Sequence, residues 1–271
     1  MNVHVRMPAV AGQFYPGSAE TLLRAVRSYT NVSGNKLNAI GCVAPHAGYM
    51  YSGQVAGAVY GRLNLPSRFI IMCPNHTGYG APLAIMSEGR WLTPLGEIEI
   101  DTRLAAELKS ATPLLTEDLE SQRHEHALEV QLPFLQALVP NFSFVPITVG
   151  TSRYEQLVEL GDAIGTVLSR NAEPVMIIAS SDMNHYEADS TTRVKDRRAI
   201  DRVLALDTKG LYDVVLRENV TMCGFGPTIA MLTAAKRLGS TSAELIRYAT
   251  SGDVSGDRDA VVGYAGIAVL R

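Results

Sequence analysis

The sequence predicts a three-layer α/β/α domain built on a mixed central sheet. Three observations carry that expectation. Short apolar runs at residues 40–44, 69–73 and 175–179 are too brief for helices and have no polar face, so they read as strands buried on both sides of a sheet. Amphipathic segments alternate with them, as where Leu157, Leu160, Ile164 and Val167 recur at helical spacing within residues 153–170. Each apolar run also ends in a polar loop that carries a histidine: Pro45-His46-Ala47-Gly48, Pro74-Asn75-His76-Thr77-Gly78 and Ser180-Ser181-Asp182-Met183-Asn184-His185. Open α/β sheets place their ligands past the carboxyl ends of the strands. Three of the six histidines are therefore expected at one rim.

Taken in order, residues 7–17 are apolar and rich in turn formers, and are expected to pack irregularly on the body. Ser18 caps a helix to about residue 29, and the polar stretch 30–36 reads as a surface loop. The strand at 40–44 leads through His46 into a small-residue helix over about 54–63. After the strand at 69–73, residues 83–101 alternate around a Glu88-Gly89 turn signal, which suggests antiparallel additions to the sheet. Asp101 and Thr102 cap a helix to about residue 110. A further helix over about 124–139 contains Pro133, so a kink or a late start is expected. Residues 142–149 read as a strand in which Pro146 favours an edge position or a bulge. Beyond the strand at 175–179, helices are expected over about 192–206, over 209–217 and from near Gly226. Strands at about 243–250 and 261–270 close the chain around a polar turn at 251–259.

The 271 residues hold no linker, charge run or low-complexity block, so one domain over residues 1–271 is expected. Hydrophobic residues make up 46% and charged ones 19%, ample for a buried core. A formal net charge of −3 gives no reason to expect nucleic acid or an anionic membrane as partner. No apolar run approaches the roughly 18 residues of a membrane span, and the N-terminus lacks the blocks of a signal peptide. The expectation is a cytoplasmic protein. Three cysteines cannot all pair and form no CxxC, and Cys42 and Cys73 fall inside strands as small buried hydrophobes.

Histidine is the commonest metal ligand and the usual acid or base near neutral pH, which gives His46, His76 and His185 a chemical reading. Cys223 lies in Thr221-Met222-Cys223-Gly224-Phe225-Gly226-Pro227, just before a helix start. The partial positive charge there should let its thiol ionise more readily than a free one, whose pKa is about 8.5, as suits a nucleophile or a soft metal ligand. Asp182 precedes His185 by three residues and is placed to orient that imidazole or to act as a base itself. A triad through Ser180 or Ser181 is disfavoured, because no nucleophile elbow is present. In His124-Glu125-His126-Ala127-Leu128-Glu129, His126 and Glu129 share one helix face; a solvent-exposed capping cluster and a His126 that faces the site are both open. The acidic turn 252–259 has the composition of a calcium loop but not the spacing, and reads as a structured turn.

Ala11-Gly12-Gln13-Phe14-Tyr15-Pro16, Pro45-His46-Ala47-Gly48-Tyr49, Pro74-Asn75-His76, Glu125-His126-X-X-Glu129, Ser181-Asp182-X-X-His185-Tyr186 and the Cys223-Gly224 turn, in this order, resemble the Memo-like family, also called AmmeMemoRadiSam system protein B. The resemblance covers essentially the whole chain. It implies a fold similar to that of class III extradiol dioxygenases, which use non-haem iron(II) to open catechol rings. It further implies a pocket in which His46, His76 and Cys223 are metal ligands, with Asp182 and His185 beside them as catalytic residues. Phe14 and Tyr51 fall where the family has pocket-lining aromatics, and His126 joins them as a substrate-binding residue. Iron(II) is the first expectation for the ion, with copper and zinc as alternatives. Where the dioxygenases complete two histidines with a carboxylate, the matching position here is Cys223, and a thiolate favours softer metals.

The implied activity is that of an oxidoreductase acting on a small, phenolic molecule. Two other functions stand beside it. One is a non-catalytic peptide- or protein-binding module, since vertebrate members are associated with phosphotyrosine peptides, although this sequence shows no basic cluster for phosphate. The other is a zinc-dependent hydrolase with His185 or Asp182 acting on metal-bound water. The family's microbial name implies a radical-SAM protein and an AMMECR-type protein as partners.

Overall fold

The computed structural model describes residues 4–271. The chain begins with β1 (Val5–Arg6), α1 (Ala19–Thr30), β2 (Ala39–Ala44), α2 (Tyr49–Arg62), β3 (Arg68–Pro74), β4 (Leu83–Ile85), β5 (Arg90–Thr93), β6 (Gly96–Ile100) and α3 (Thr102–Ala111). It continues with β7 (Thr116–Glu117), α4 (Glu120–Arg123), α5 (His126–Glu129), α6 (Leu132–Leu138), β8 (Ser143–Val149) and α7 (Tyr154–Leu168). The last third holds β9 (Met176–Ser180), β10 (His185–Glu187), α8 (Asp189–Leu204), α9 (Thr208–Arg217), α10 (Phe225–Arg237), β11 (Ala243–Thr250), α11 (Gly252–Ser255) and β12 (Val261–Leu270).

The strands form one mixed sheet whose main path runs β1-β5-β6-β8-β3-β9-β2-β12-β10. At its centre β8, β3, β9 and β2 are parallel neighbours, while β12 lies antiparallel to β2 and carries β11 on its opposite edge. The pleat divides side chains between two cores: Ile70 and Met72 of β3 enter one, and Phe69, Ile71 and Cys73 the other. Helices α3, α7, α8, α9 and α10 cover the first face, and α1, α2, α5 and α6 the second. This is the three-layer α/β arrangement expected from the alternating strands and helices.

Local chemistry sets the elements. Ser18 Oγ accepts from the Thr21 amide at the start of α1, and Asp101 Oδ1 accepts from Leu104 at the start of α3. Helix α2 is built of small residues because α1 lies hard against it; a Cβ on Gly57 would stand 2.5 Å from Tyr29 Cβ.

Four expectations are corrected. Helix α2 starts at Tyr49 rather than near residue 54: Gly48 is its N-cap, and Tyr49 and Ser52 of the first turn are buried while Met50 faces solvent. The single helix over 124–139 is two short pieces, α5 and α6: His124 is an exposed junction between α4 and α5, and Pro133 sits in the first turn of α6, a late start. The hairpin of the 83–101 region turns between Thr93 and Gly96 rather than at Glu88-Gly89, and β6 joins β8 in parallel while β4 joins it antiparallel. Finally, Pro146 lies in a central strand. On one side β8 pairs with β3 throughout, but on the other it pairs with β6 up to Phe144 and with β4 from Ile147. The Phe144 carbonyl accepts from Asp101 and the Gly150 amide donates to Pro82, so residue 146, of the same parity, faces that second side. Its missing amide thus falls in the gap between two partner strands.

Candidate metal centre

Three adjacent parallel strands, β3, β9 and β2, end at the same rim. His76, Asp182 and His46 each stand two residues past the end of their strand. Cys223 arrives from the other direction, in the loop that leads to α10. A Cβ on Gly224 would lie 2.3 Å from the Ser180 carbonyl oxygen, and this close approach seats the Cys223 loop against the end of β9. The result places ligand-capable atoms of His46, His76 and Cys223 within 4.8 Å of one another.

The hydrogen bonds behind these side chains fix which ring nitrogen faces the centre. His46 Nδ1 lies 2.9 Å from Ser180 Oγ, whose own proton goes to the Ala127 carbonyl at 2.6 Å. Ser180 also accepts from Gln131 Nε2, so His46 must donate through Nδ1 and keeps its lone pair on Nε2, 3.1 Å from Cys223 Sγ. His76 Nδ1 meets Glu125 Oε1 at 2.9 Å while the other Glu125 oxygen accepts the His76 amide at 2.6 Å. His185 Nδ1 meets the Thr221 carbonyl at 2.9 Å, and its amide donates to Thr221 Oγ1. A carbonyl or carboxylate only accepts, so these two histidines also protonate Nδ1 and present Nε2.

Electrostatics differ across the group. Burial, and then the charges of His76, His126 and His185, hold His46 well below the ordinary histidine range. Burial also lowers His126 and His185. For His76, burial pulls down but the hydrogen bond and charge of Glu125 outweigh it and leave the imidazole raised; Glu125 is correspondingly lowered against its own burial. Burial pushes the Asp182 carboxyl up to about 7, although its Oδ1 accepts from the amides of His46 and Ala47.

Two expectations are reversed here. The Cys223 thiol is raised rather than lowered, by burial and then by the charge of Asp182, which together outweigh the hydrogen bonds from Asp182, Ser181 and Gly224 that favour the thiolate. Asp182 does not orient His185: its carboxylate holds the amides after β2, and Thr221 holds His185. Ser180 and Ser181 have structural partners, the latter accepting from the Gly224 amide and donating to the Asp182 carbonyl.

A Memo-like protein family model matches residues 6–268. The chain belongs to the Memo-like family. A MEMO1 family protein of Methanosarcina mazei is 44% identical over 269 residues, covering 98% of this chain and 100% of its own length. A MEMO1 family protein of Pyrobaculum aerophilum is 41% identical over 281 residues, covering 99% and 100% respectively. A crystal structure of an uncharacterized protein from Escherichia coli K12 superposes with a TM-score of 0.50 at 14% identity, covering 84% of this chain and 98% of that one, which shows a shared fold.

In this Memo-like chain the rim histidines open into a cleft of about 690 Å³, and Phe14, Tyr51 and His126 lie in its wall. His126 stacks on His76 with ring centroids 4.8 Å apart, and Phe14 leans on His126 at the same spacing. The Glu125 and Glu129 pair is a buried cluster, not an exposed one. Glu125 caps α5 through the Ala127 amide, and Glu129 binds Arg6, the Ala9 and Val10 amides and the Tyr15 hydroxyl, tying residues 6–15 beside the cleft. Sequence reasoning flagged these acids but missed both partnerships, since Arg6 and Glu129 lie 123 residues apart. It also missed Tyr264 and the turn residues Ser251, Ser255 and Asp257 as cleft lining. His76, Glu125 and His126 form a second group with metal-ligand spacing, although the hydrogen bonds of Glu125 already serve His76 and α5. Among the described residues no helix is long and apolar enough to cross a membrane.

Proposed function

We propose that this protein binds a transition-metal ion through His46 Nε2, His76 Nε2 and Cys223 Sγ and uses it in redox chemistry on a small phenolic molecule held in the adjoining cleft. The observation that carries the proposal is the set of outward hydrogen bonds just described: each imidazole gives its Nδ1 proton to a fixed acceptor, and so keeps Nε2 free on the side where the thiol lies. Two imidazoles and a thiolate suit iron(II), copper or zinc. Such an ion would polarise an oxygen ligand and, as iron or copper, exchange electrons with it.

The chain's own groups supply the remainder. Burial keeps His185 neutral near pH 7, so Nε2 can take a proton from a hydroxyl in the cleft. Asp182, with its carboxyl near 7, can hold or release a proton at the floor of the same cleft. Iron(II) fits an oxidoreductase and zinc a hydrolase, and the identity of the ion decides between them. A purely peptide-binding role for phosphorylated partners finds no support in the cleft wall, which holds no lysine or arginine.

Metal retention tests the assignment. Protein carrying His76→Ala should lose its ion on gel filtration, whereas His4→Ala, altered on an exposed residue, should keep it. Equal retention in the two would sink the proposal.

A further inference from the structure

Tyr186 is held in a conformation that β-strand residues avoid. Its φ is 58°, in the left-handed region, and it sits where the β10–β12 register slips between His185 and Glu187. A non-glycine residue there is strained, and such strain persists only where the surroundings enforce it and clusters at binding and catalytic sites. Packing does not repay it: the side chain is 76% exposed, beside the cleft and 5.7 Å from the His185 ring. The bulge therefore presents a free aromatic face at the cleft, where Phe14, Tyr51 and Tyr264 supply further aromatic wall.

Away from the histidines and the ion they would hold, the charge of the cleft wall is one-sided. Its lining contains no lysine or arginine but does contain the carboxyl groups of Asp182 and Asp257. Neighbouring cations are committed elsewhere: Lys195 to Glu187 at 2.6 Å, Arg258 to Asp189 and Asp253, and Arg193 to the same two aspartates. Asp257 is exposed and pairs with no cation among the described residues, accepting only the Asp259 amide.

We infer that the cleft selects flat aromatic molecules whose substituent is uncharged or cationic, with the ring against Tyr186 and a cationic tail drawn to Asp257, and that it rejects anionic analogues. This rests on the cleft being the substrate site, as in the proposed function. It is independent of which ion is bound.

The test uses three phenols that differ in tail charge: tyramine, 4-ethylphenol and 4-hydroxyphenylacetate. Binding is measured by calorimetry on zinc-loaded and metal-free protein, with the metal content of each sample determined separately. Tyramine should bind about tenfold more tightly than the acid, with 4-ethylphenol between them, as an attraction replaced by a repulsion at an exposed carboxylate would give. Asp257→Asn should reduce that advantage to about threefold or less. Tyr186→Ala should weaken all three alike by about fivefold, and Tyr186→Phe, which keeps the ring, should not. Equal or tighter binding of the acid overturns the inference, as does an undiminished amine preference in Asp257→Asn, or no binding of any of the three in both metal states. Metal-free samples that resist loading would count against the metal proposal alone, because the tail-charge order is still read on them.

Discussion

Each rim histidine has its proton placed by a different kind of partner: a serine whose own proton is already given away, a buried carboxylate, and a backbone carbonyl. The carboxylate is the most consequential. Glu125→Gln removes the charge that holds His76, and zinc affinity measured by chelator competition should fall about 10- to 100-fold, the usual effect of losing a ligand's orienting partner. Unchanged affinity would mean that His76 is not held through Glu125. Glu129 plays a different part, since it is fully buried against Arg6, whose guanidinium also covers the Trp91 ring at 4.2 Å. Glu129→Ala leaves that cation unpaired and should lower unfolding free energy by about 3–5 kcal/mol in urea titration. At this scale the histidines were legible, because polar residues after a buried strand have no packing role. The ionisation of Cys223 was not: helix-start charge is a local feature, whereas the burial and Asp182 charge that overrode it come from chain 41 residues away in sequence.

Elements matter here for how closely they approach. The Cys223 loop can touch the end of β9 only because Gly224 has no side chain, and Gly224→Ala would drive a Cβ to 2.3 Å from the Ser180 oxygen. That variant should be destabilised by about 1–3 kcal/mol and should bind metal poorly, both measurable on one preparation. A second junction ties α8 to the His185 loop and to β11. Asp196 accepts from the Asn184 amide and the Tyr248 hydroxyl, and burial pushes its carboxyl up to about 7. The folded protein then binds this proton more tightly than the unfolded chain does. Its contribution is fully present below the unfolded pKa of about 4 and is lost as pH rises through about 7, a change of up to about 4 kcal/mol. Asp196→Asn should lack that slope when stability is compared across this range, and an identical slope would contradict the assignment. Element types were largely readable from apolar periodicity. Their junctions were less so: two short pieces stand where one helix was expected, and buried Glu125 starts the first of them at a point fixed by His76, a partner 49 residues away.

Viewed whole, the molecule owes its candidate site to strand order. β3, β9 and β2 are neighbours although far apart in sequence, and their shared direction puts His76, Asp182 with His185, and His46 on one rim. That the rim exists followed from three strand-then-histidine segments, but which strands adjoin did not, since parallel neighbours are joined by long crossovers. The cleft wall from α11 and the 251–260 turn was likewise hidden, because a polar turn in sequence carries no sign of what it faces. The measurement that bears most directly on the whole account is elemental analysis of protein purified anaerobically without a histidine tag, beside His46→Ala and Cys223→Ser. Near-stoichiometric iron, copper or zinc is expected in the parent protein, with its loss from both variants. No metal in any sample, even after reconstitution, or equal metal in all three, would contradict it.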